Sequence, residues 1–181
     1  RGPLYAALYA DFFSLEEPIT PAAHQIEVAR RFERIKSVPT LLAGPRFERE
    51  PFSSGDTLAS GDRVEVILTL ESKNDFEYLL FEDLKAAGME AIGQKSGGPL
   101  YARELAADGS YTGGQIYVYR ELRDRKVALF VDRMPQGRWE IRYPLGAEVP
   151  GQFHALPLVG EAMYVPEIRA NGHETRIVVE D

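Results

Sequence analysis

Hydrophobic and polar residues alternate with a period of two along much of the chain. Val64, Val66, Leu68 and Leu70 alternate with Glu65, Ile67, Thr69 and Glu71, and Trp139, Ile141, Tyr143 and Leu145 alternate with Arg138, Glu140 and Arg142. Successive side chains of a strand point to opposite faces, so both runs predict strands with one buried face. Shorter β-rich runs are FEYLLFEDL (76–84), QIYVYREL (115–122), KVALFVDR (126–133) and TRIVVED (175–181). Turn residues punctuate them at Asp108-Gly109, Gly113-Gly114, Pro135-Gln136-Gly137, Pro150-Gly151 and Asn171-Gly172. Short strands with a turn signal every 8–12 residues or so predict an antiparallel β-sandwich. The Ala-rich stretch DLKAAGMEAI (83–92) holds a turn of helix at most. The expected fold class is all-β.

The pattern also has a seam. Residues 1–36 carry two apolar runs, LYAALYADFF (4–13) and IEVARRFERI (26–35), and residues 37–62 are rich in Pro, Gly and Ser with little alternation. This divides the chain into a first unit, 1–36, a linker, 37–62, and a sandwich, 63–181. Two strands alone rarely form a stable unit in water. Residues 1–36 are therefore expected to complete a sheet that lies elsewhere, either upstream or against the larger unit.

Composition narrows the function classes. The 181 residues hold 21 Lys+Arg against 28 Asp+Glu, a net charge of −7. Phosphate binding needs a clustered basic face, so nucleic acid is excluded as a partner. Cysteine is absent, which removes disulfides, thiolate nucleophiles and thiolate metal sites from this chain. No apolar run approaches the ~20 residues that cross a bilayer, so no direct membrane contact is expected. The chain begins Arg1-Gly2-Pro3 without an initiator methionine or a signal-peptide pattern, and is expected to be a piece of a longer polypeptide.

Candidate chemistry is sparse. His24, His154 and His173 lack metal-ligand spacing, and no cofactor motif is present. Glu16-Glu17 and Glu82-Asp83 are adjacent pairs, whose members point to opposite faces of a strand. Glu104 and Asp108 fall in a loop-like segment, and all six carboxylates are expected to be solvated charges rather than a glycosidase pair. No G-x-S-x-G elbow, phosphate loop or calcium loop occurs. A binding or mechanical module is favoured over an enzyme. One segment stands out, ALPLVGEAMYVPEIRANG (155–172). Here Met163, Tyr164 and Val165 stand between Gly160-Glu161 and Pro166, and Pro150, Pro157 and Pro166 keep the approach and exit extended. That predicts a stiff loop or edge strand presenting contact side chains; the alternative is that Met163 and Tyr164 close the end of the sandwich.

Four stretches, in order, resemble the carboxy-terminal region of bacterial alpha-2-macroglobulins. GPLYAALYADFF with HQIEVARRFERI is similar to the family's strands after the thioester domain. GDRVEVILTLESKNDFEYLLFEDLKAAGMEAI (61–92) resembles the start of the last macroglobulin-like domain, DRKVALFVDRMPQGRWEIRYPLGAEVPGQFHALP (124–157) its central hairpin, and GEAMYVPEIRA (160–170) its nearly terminal Glu-x-Met-Tyr-x-Pro-Glu signature. Ala86 and Gly146 depart from the family pattern, both in turn or surface positions.

The resemblance implies that 1–36 is the returning half of a CUB-like β domain and that 63–181 is a macroglobulin-like, Ig-like sandwich. It also implies a non-catalytic part of a broad-spectrum endopeptidase inhibitor, periplasmic or extracellular, whose parent traps proteases after a bait region is cut. The reactive Cys–Gln thioester of such a protein must lie upstream, since this chain has no cysteine. The partners implied are the upstream thioester domain and, through the full-length protein, proteases. Within the signature, Glu161, Met163, Tyr164, Val165 and Pro166 become the candidate thioester-shielding residues. The rival reading is a free-standing carbohydrate-binding or adhesion sandwich with an aromatic platform of Tyr111, Tyr117, Tyr119, Trp139 and Tyr143.

Overall fold

A computed structural model describes residues 19–39, 44–93 and 95–181. They form an all-β protein of three sheets, and no helix occurs among the described residues. The largest sheet contains seven strands. Its path runs through β2 (Arg46–Phe52), β1 (Ile26–Val38), β4 (Arg63–Ser72), β11 (Gly137–Ala147), β7 (Tyr101–Leu105) and β8 (Tyr111–Tyr117), with β6 (Met89–Ala91) paired to β11 off the path. The second sheet runs β14 (Val165–Asn171), β13 (Val159–Ala162), β5 (Phe76–Leu84), β10 (Lys126–Met134), β9 (Tyr119–Leu122). A third, smaller sheet joins β12 (Gly151–Ala155), β15 (Thr175–Glu180) and β3 (Thr57–Ala59), the last pair being parallel.

The alternating runs build the core. Leu70, Leu68, Val66 and Val64 of β4 stand opposite Trp139, Ile141, Tyr143 and Leu145 of β11, all buried. Val28 and Phe32 of β1 extend this row opposite Leu70 and Val66. From the second sheet Leu79 and Phe81 of β5 and Leu129 and Val131 of β10 belong to the same core. Burying each such side chain stabilises the fold by about 1.5–3 kcal/mol, which is what fixes strand register.

Two charged residues break this apolar pattern and meet inside it. Arg30 lies opposite Leu68, on the inward row between Val28 and Phe32, and Asp83 follows Leu79 and Phe81 on the inward row of β5. Both side chains are 1% exposed and form a salt bridge between the sheets. Arg30 also donates to the carbonyls of Leu84 (3.2 Å) and Ala155 (2.7 Å), and the Tyr143 hydroxyl donates to Asp83. Burial, with the Asp83 charge added, pushes the Tyr143 phenol well above its ordinary value. A buried pair of this kind holds two sheets in one relative register because either partner alone would be an uncompensated charge.

Three expectations change. The boundary at residue 36 falls inside β1, which pairs with β4 from Ile26↔Ser72 to Ile35↔Arg63, so residues 26–36 are a strand of the sandwich. The stretch 37–62 holds β2 and β3 instead of a linker. As an edge strand, β2 is exposed on both faces except at Phe52, and so shows no clean alternation. The run 115–122 is two strands, because buried Val118 carries the chain from the seven-stranded sheet to the five-stranded one. The run 4–13 lies outside the described residues.

Candidate functional site

The segment singled out at 155–172 is a β-hairpin. Strands β13 and β14 pair Val159↔Asn171, Gly160↔Ala170 and Glu161↔Arg169, with an irregularity before Ala162↔Val165. On its other side β13 pairs with β5, so among the described residues β14 is the outer strand of its sheet. The root is packed: Leu158, Gly160, Ala162 and Ala170 are buried. A Cβ on Gly160 would come within 2.8 Å of the Phe81 ring and 3.2 Å of Val28, so only glycine allows this approach. Asn171 and Ala22 exchange backbone hydrogen bonds at 2.8 and 3.2 Å, and the Gly172 N–H donates to the Leu158 carbonyl at 2.8 Å.

The tip contrasts with the root. Met163 and Tyr164 form the turn, and Tyr164 is 75% exposed, Met163 47% and Val165 45%. Pro166 is exposed, its carbonyl accepting from Arg169 Nε at 2.9 Å, while Glu161 is half-buried in β13. The five candidates drawn from the sequence therefore lie on one hairpin, with the three apolar ones contiguous at its end. Met163 and Tyr164 are thus largely exposed to solvent at the end of the hairpin.

Tyr78 of β5, which was not among the candidate site residues, braces this tip. Its ring packs edge to face on Tyr164, and its carbonyl accepts the Met163 N–H at 2.9 Å. A groove of about 390 Å³ runs beside the two rings, lined among others by Phe76, Arg133, Val165 and Ile168. A signal for Tyr78 does exist in the sequence. The inward positions of β5 run 76, 79, 81, 83, and the step of three instead of two falls across Tyr78.

The other candidates disperse. His24, His154 and His173 are exposed, and no group able to hold a metal is present among the described residues. Asp83 is the buried partner of Arg30 and not a solvated charge, while Glu82 pairs with Lys126. Glu104 lies in β7, where it accepts from the Thr112 hydroxyl, and Asp108 accepts from the backbone and hydroxyl of Ser110 in a turn. Glu16-Glu17 lies outside the described residues. Of the aromatic platform, Trp139 and Tyr143 are core, and Tyr111, Tyr117 and Tyr119 are exposed.

The outer face of the seven-stranded sheet carries an ionic network. Arg142 reaches Glu140 at 2.6 Å, Glu65 at 3.0 Å and Glu33 at 3.5 Å, Arg49 reaches Glu65 at 2.8 Å, and Arg31 reaches Glu140 at 3.2 Å. Burial by itself raises the Glu65 and Glu140 carboxyls. Hydrogen bonds and charges from these arginines, with the Tyr111 hydroxyl on Glu140, outweigh it and hold both below their ordinary value. The acids are thus neutralised by arginines and offer no proton at neutral pH.

Comparison with known proteins agrees with this architecture. Residues 26–167 match the model of the bacterial alpha-2-macroglobulin MG10 domain. The search of the curated proteins finds no match. Among solved structures, the native conformation of Escherichia coli alpha-2-macroglobulin is 23% identical over 93% of this chain and 10% of its own, with a TM-score of 0.67. Salmonella alpha-2-macroglobulin reacted with methylamine is 22% identical over 90% of this chain and 10% of its own, with a TM-score of 0.65. Trypsin-activated E. coli alpha-2-macroglobulin is 24% identical over 89% of this chain and 11% of its own, with a TM-score of 0.64. The chain thus spans about a tenth of the length of these relatives.

Proposed function

The chain belongs to the bacterial alpha-2-macroglobulin family through its MG10 domain, and we propose that within a full-length protease-trapping protein it is a non-catalytic domain whose β13–β14 tip shields a thioester on the upstream thioester domain. Cleavage of the bait region withdraws the shield, and the freed thioester acylates the attacking protease. The activity belongs to the whole protein, which acts in the periplasm or outside the cell; this domain supplies the shield.

The observation that carries the reading is the contrast between root and tip of one hairpin. Turns that face water favour Gly, Asn, Asp and Pro, whereas this one presents Met163, Tyr164 and Val165 beyond a root packed on Phe81 and Val28. A thioester survives only where water and amines are kept away. Tyrosine on a rigid hairpin suits that role, because it covers a large area with only two side-chain torsions to fix, and its hydroxyl can meet a polar group. Met163 fills the irregular space beside it. The relatives add support, since one is described as activated by trypsin and another as reacted with methylamine.

The test is Tyr164→Ala in the full-length protein, followed by the rate of methylamine incorporation and of spontaneous thioester loss. Both are expected to rise. Rates equal to those of the wild type would overturn the shielding role.

A further inference from the structure

Tyr78 is the only described residue other than glycine with a positive φ, at 56°. An aromatic side chain in the left-handed region is an outlier that persists only where its surroundings enforce it, and such outliers gather at functional positions. Tyr78 is also half exposed, so no core contact of its ring accounts for the strain.

What the conformation achieves is visible on both sides of β5. The ladder with β10 pairs Leu79 with Val131 and Glu77 with Arg133 but skips Tyr78. The ladder with β13 ends at Ala162↔Leu79, and the turned carbonyl of Tyr78 carries it one bond further by accepting the Met163 N–H. The same turn places the Tyr78 ring 5.4 Å from that of Tyr164, at an interplanar angle of 84°. Tyr164 has no other ring contact among the described residues. Backbone and ring of Tyr78 thus address the two successive residues of the tip.

We infer that Tyr78 is the positioning residue of the shield. Its strained backbone fixes the turn at Met163, and its ring holds Tyr164 in one orientation before the thioester domain docks. A ring as exposed as Tyr164 would otherwise distribute over several rotamers and lose that freedom on docking; bracing removes the cost in advance. The inference rests on the shielding role proposed above, and it adds a second tyrosine that never touches the thioester.

Glycine tolerates φ near +56°, so Tyr78→Gly removes the ring while easing the backbone, and Tyr78→Phe keeps the ring. The experiment measures methylamine incorporation in the full-length protein for these two variants, for Tyr164→Ala, and for the Tyr78→Gly/Tyr164→Ala double variant. Tyr78→Gly is expected to accelerate incorporation by roughly three- to tenfold, the range one aromatic pair supplies. Tyr78→Phe is expected to stay near the wild-type rate, and the double variant to react no faster than Tyr164→Ala alone. A wild-type rate for Tyr78→Gly beside a fast Tyr164→Ala would overturn the positioning role and leave the shield standing. Additive effects in the double variant would also overturn it. No acceleration in Tyr164→Ala would overturn the shield itself, and the positioning role with it.

Discussion

The ring of Tyr78 meets the ring of Tyr164 edge to face, with centroids 5.4 Å apart. The contact joins a strand that runs through the core to the end of an edge hairpin. Tyr78 is followed directly by Leu79 and, two residues on, by Phe81, both fully buried. Beyond the β5–β13 ladder, one aromatic pair and one hydrogen bond pass the position of β5 to the tip.

The tip should therefore matter little to stability. Tyr164→Ala is expected to cost less than about 1.5 kcal/mol, the upper end for an aromatic pair. Phe81→Ala, further along β5 from Tyr78, should cost about 3–5 kcal/mol. Urea unfolding of both variants checks this, and a loss for Tyr164→Ala as large as that for Phe81→Ala would make the tip part of the core.

The root depends on one glycine. Gly160→Ala puts a methyl group 2.8 Å from the Phe81 ring, and overpacking of this kind costs typically ~1–3 kcal/mol. Because the ring belongs to β5, hydrogen exchange at Met163 and Glu161 should quicken along with the loss of stability. Unchanged exchange at both amides would show that the hairpin does not depend on that contact.

Arg30 and Asp83 form a unit. Removing one partner, as in Arg30→Met or Asp83→Leu, is expected to destabilise by about 3–5 kcal/mol, since the other charge stays buried at 1% exposure. The double variant should cost clearly less than the sum of the two. Thermal or urea unfolding of all three gives the cycle, and strict additivity would argue against the pair.

Acid should weaken the outer face. Glu65 and Glu140 are held below their ordinary value of 4.5 despite partial burial, by Arg49, Arg142, Arg31 and Tyr111. The folded state then binds fewer protons than the unfolded one, so their contribution is whole above pH 4.5 and is lost as pH falls through the lowered values. Tm measured from about pH 7 to pH 3 should drop below the ordinary carboxylate value in the wild type. Arg142→Met should lower Tm at neutral pH and flatten that acid drop, and an equally steep drop in the variant would count against the network.

How far the sequence revealed the molecule depended on burial. Strands β4 and β11 were legible because both lie mid-sheet with one face wholly buried, so each inward position had to be apolar. Strand β2 was not, because an edge strand exposed on both faces imposes no such rule. Val118 hid a change of sheet, since alternation continues whether or not the hydrogen-bond partner changes. Arg30 and Asp83 were readable in principle as charges on inward rows, yet only their meeting across two sheets explains either. Met163, Tyr164 and Val165 stood out as an apolar turn, whereas Tyr78 lay within the family-like stretch 61–92 and at a one-residue slip in the period of β5, and neither gave it a role.

The most direct test of the central claim is the intact mass of the full-length protein before and after methylamine, with and without prior protease treatment. A shielded thioester predicts a gain matching one methylamine adduct in the untreated protein, slow in the wild type and faster in Tyr164→Ala, and no gain once protease has acted. Freshly prepared protein that takes up no methylamine under any condition would contradict the account, and the β13–β14 tip would then need a partner other than a thioester.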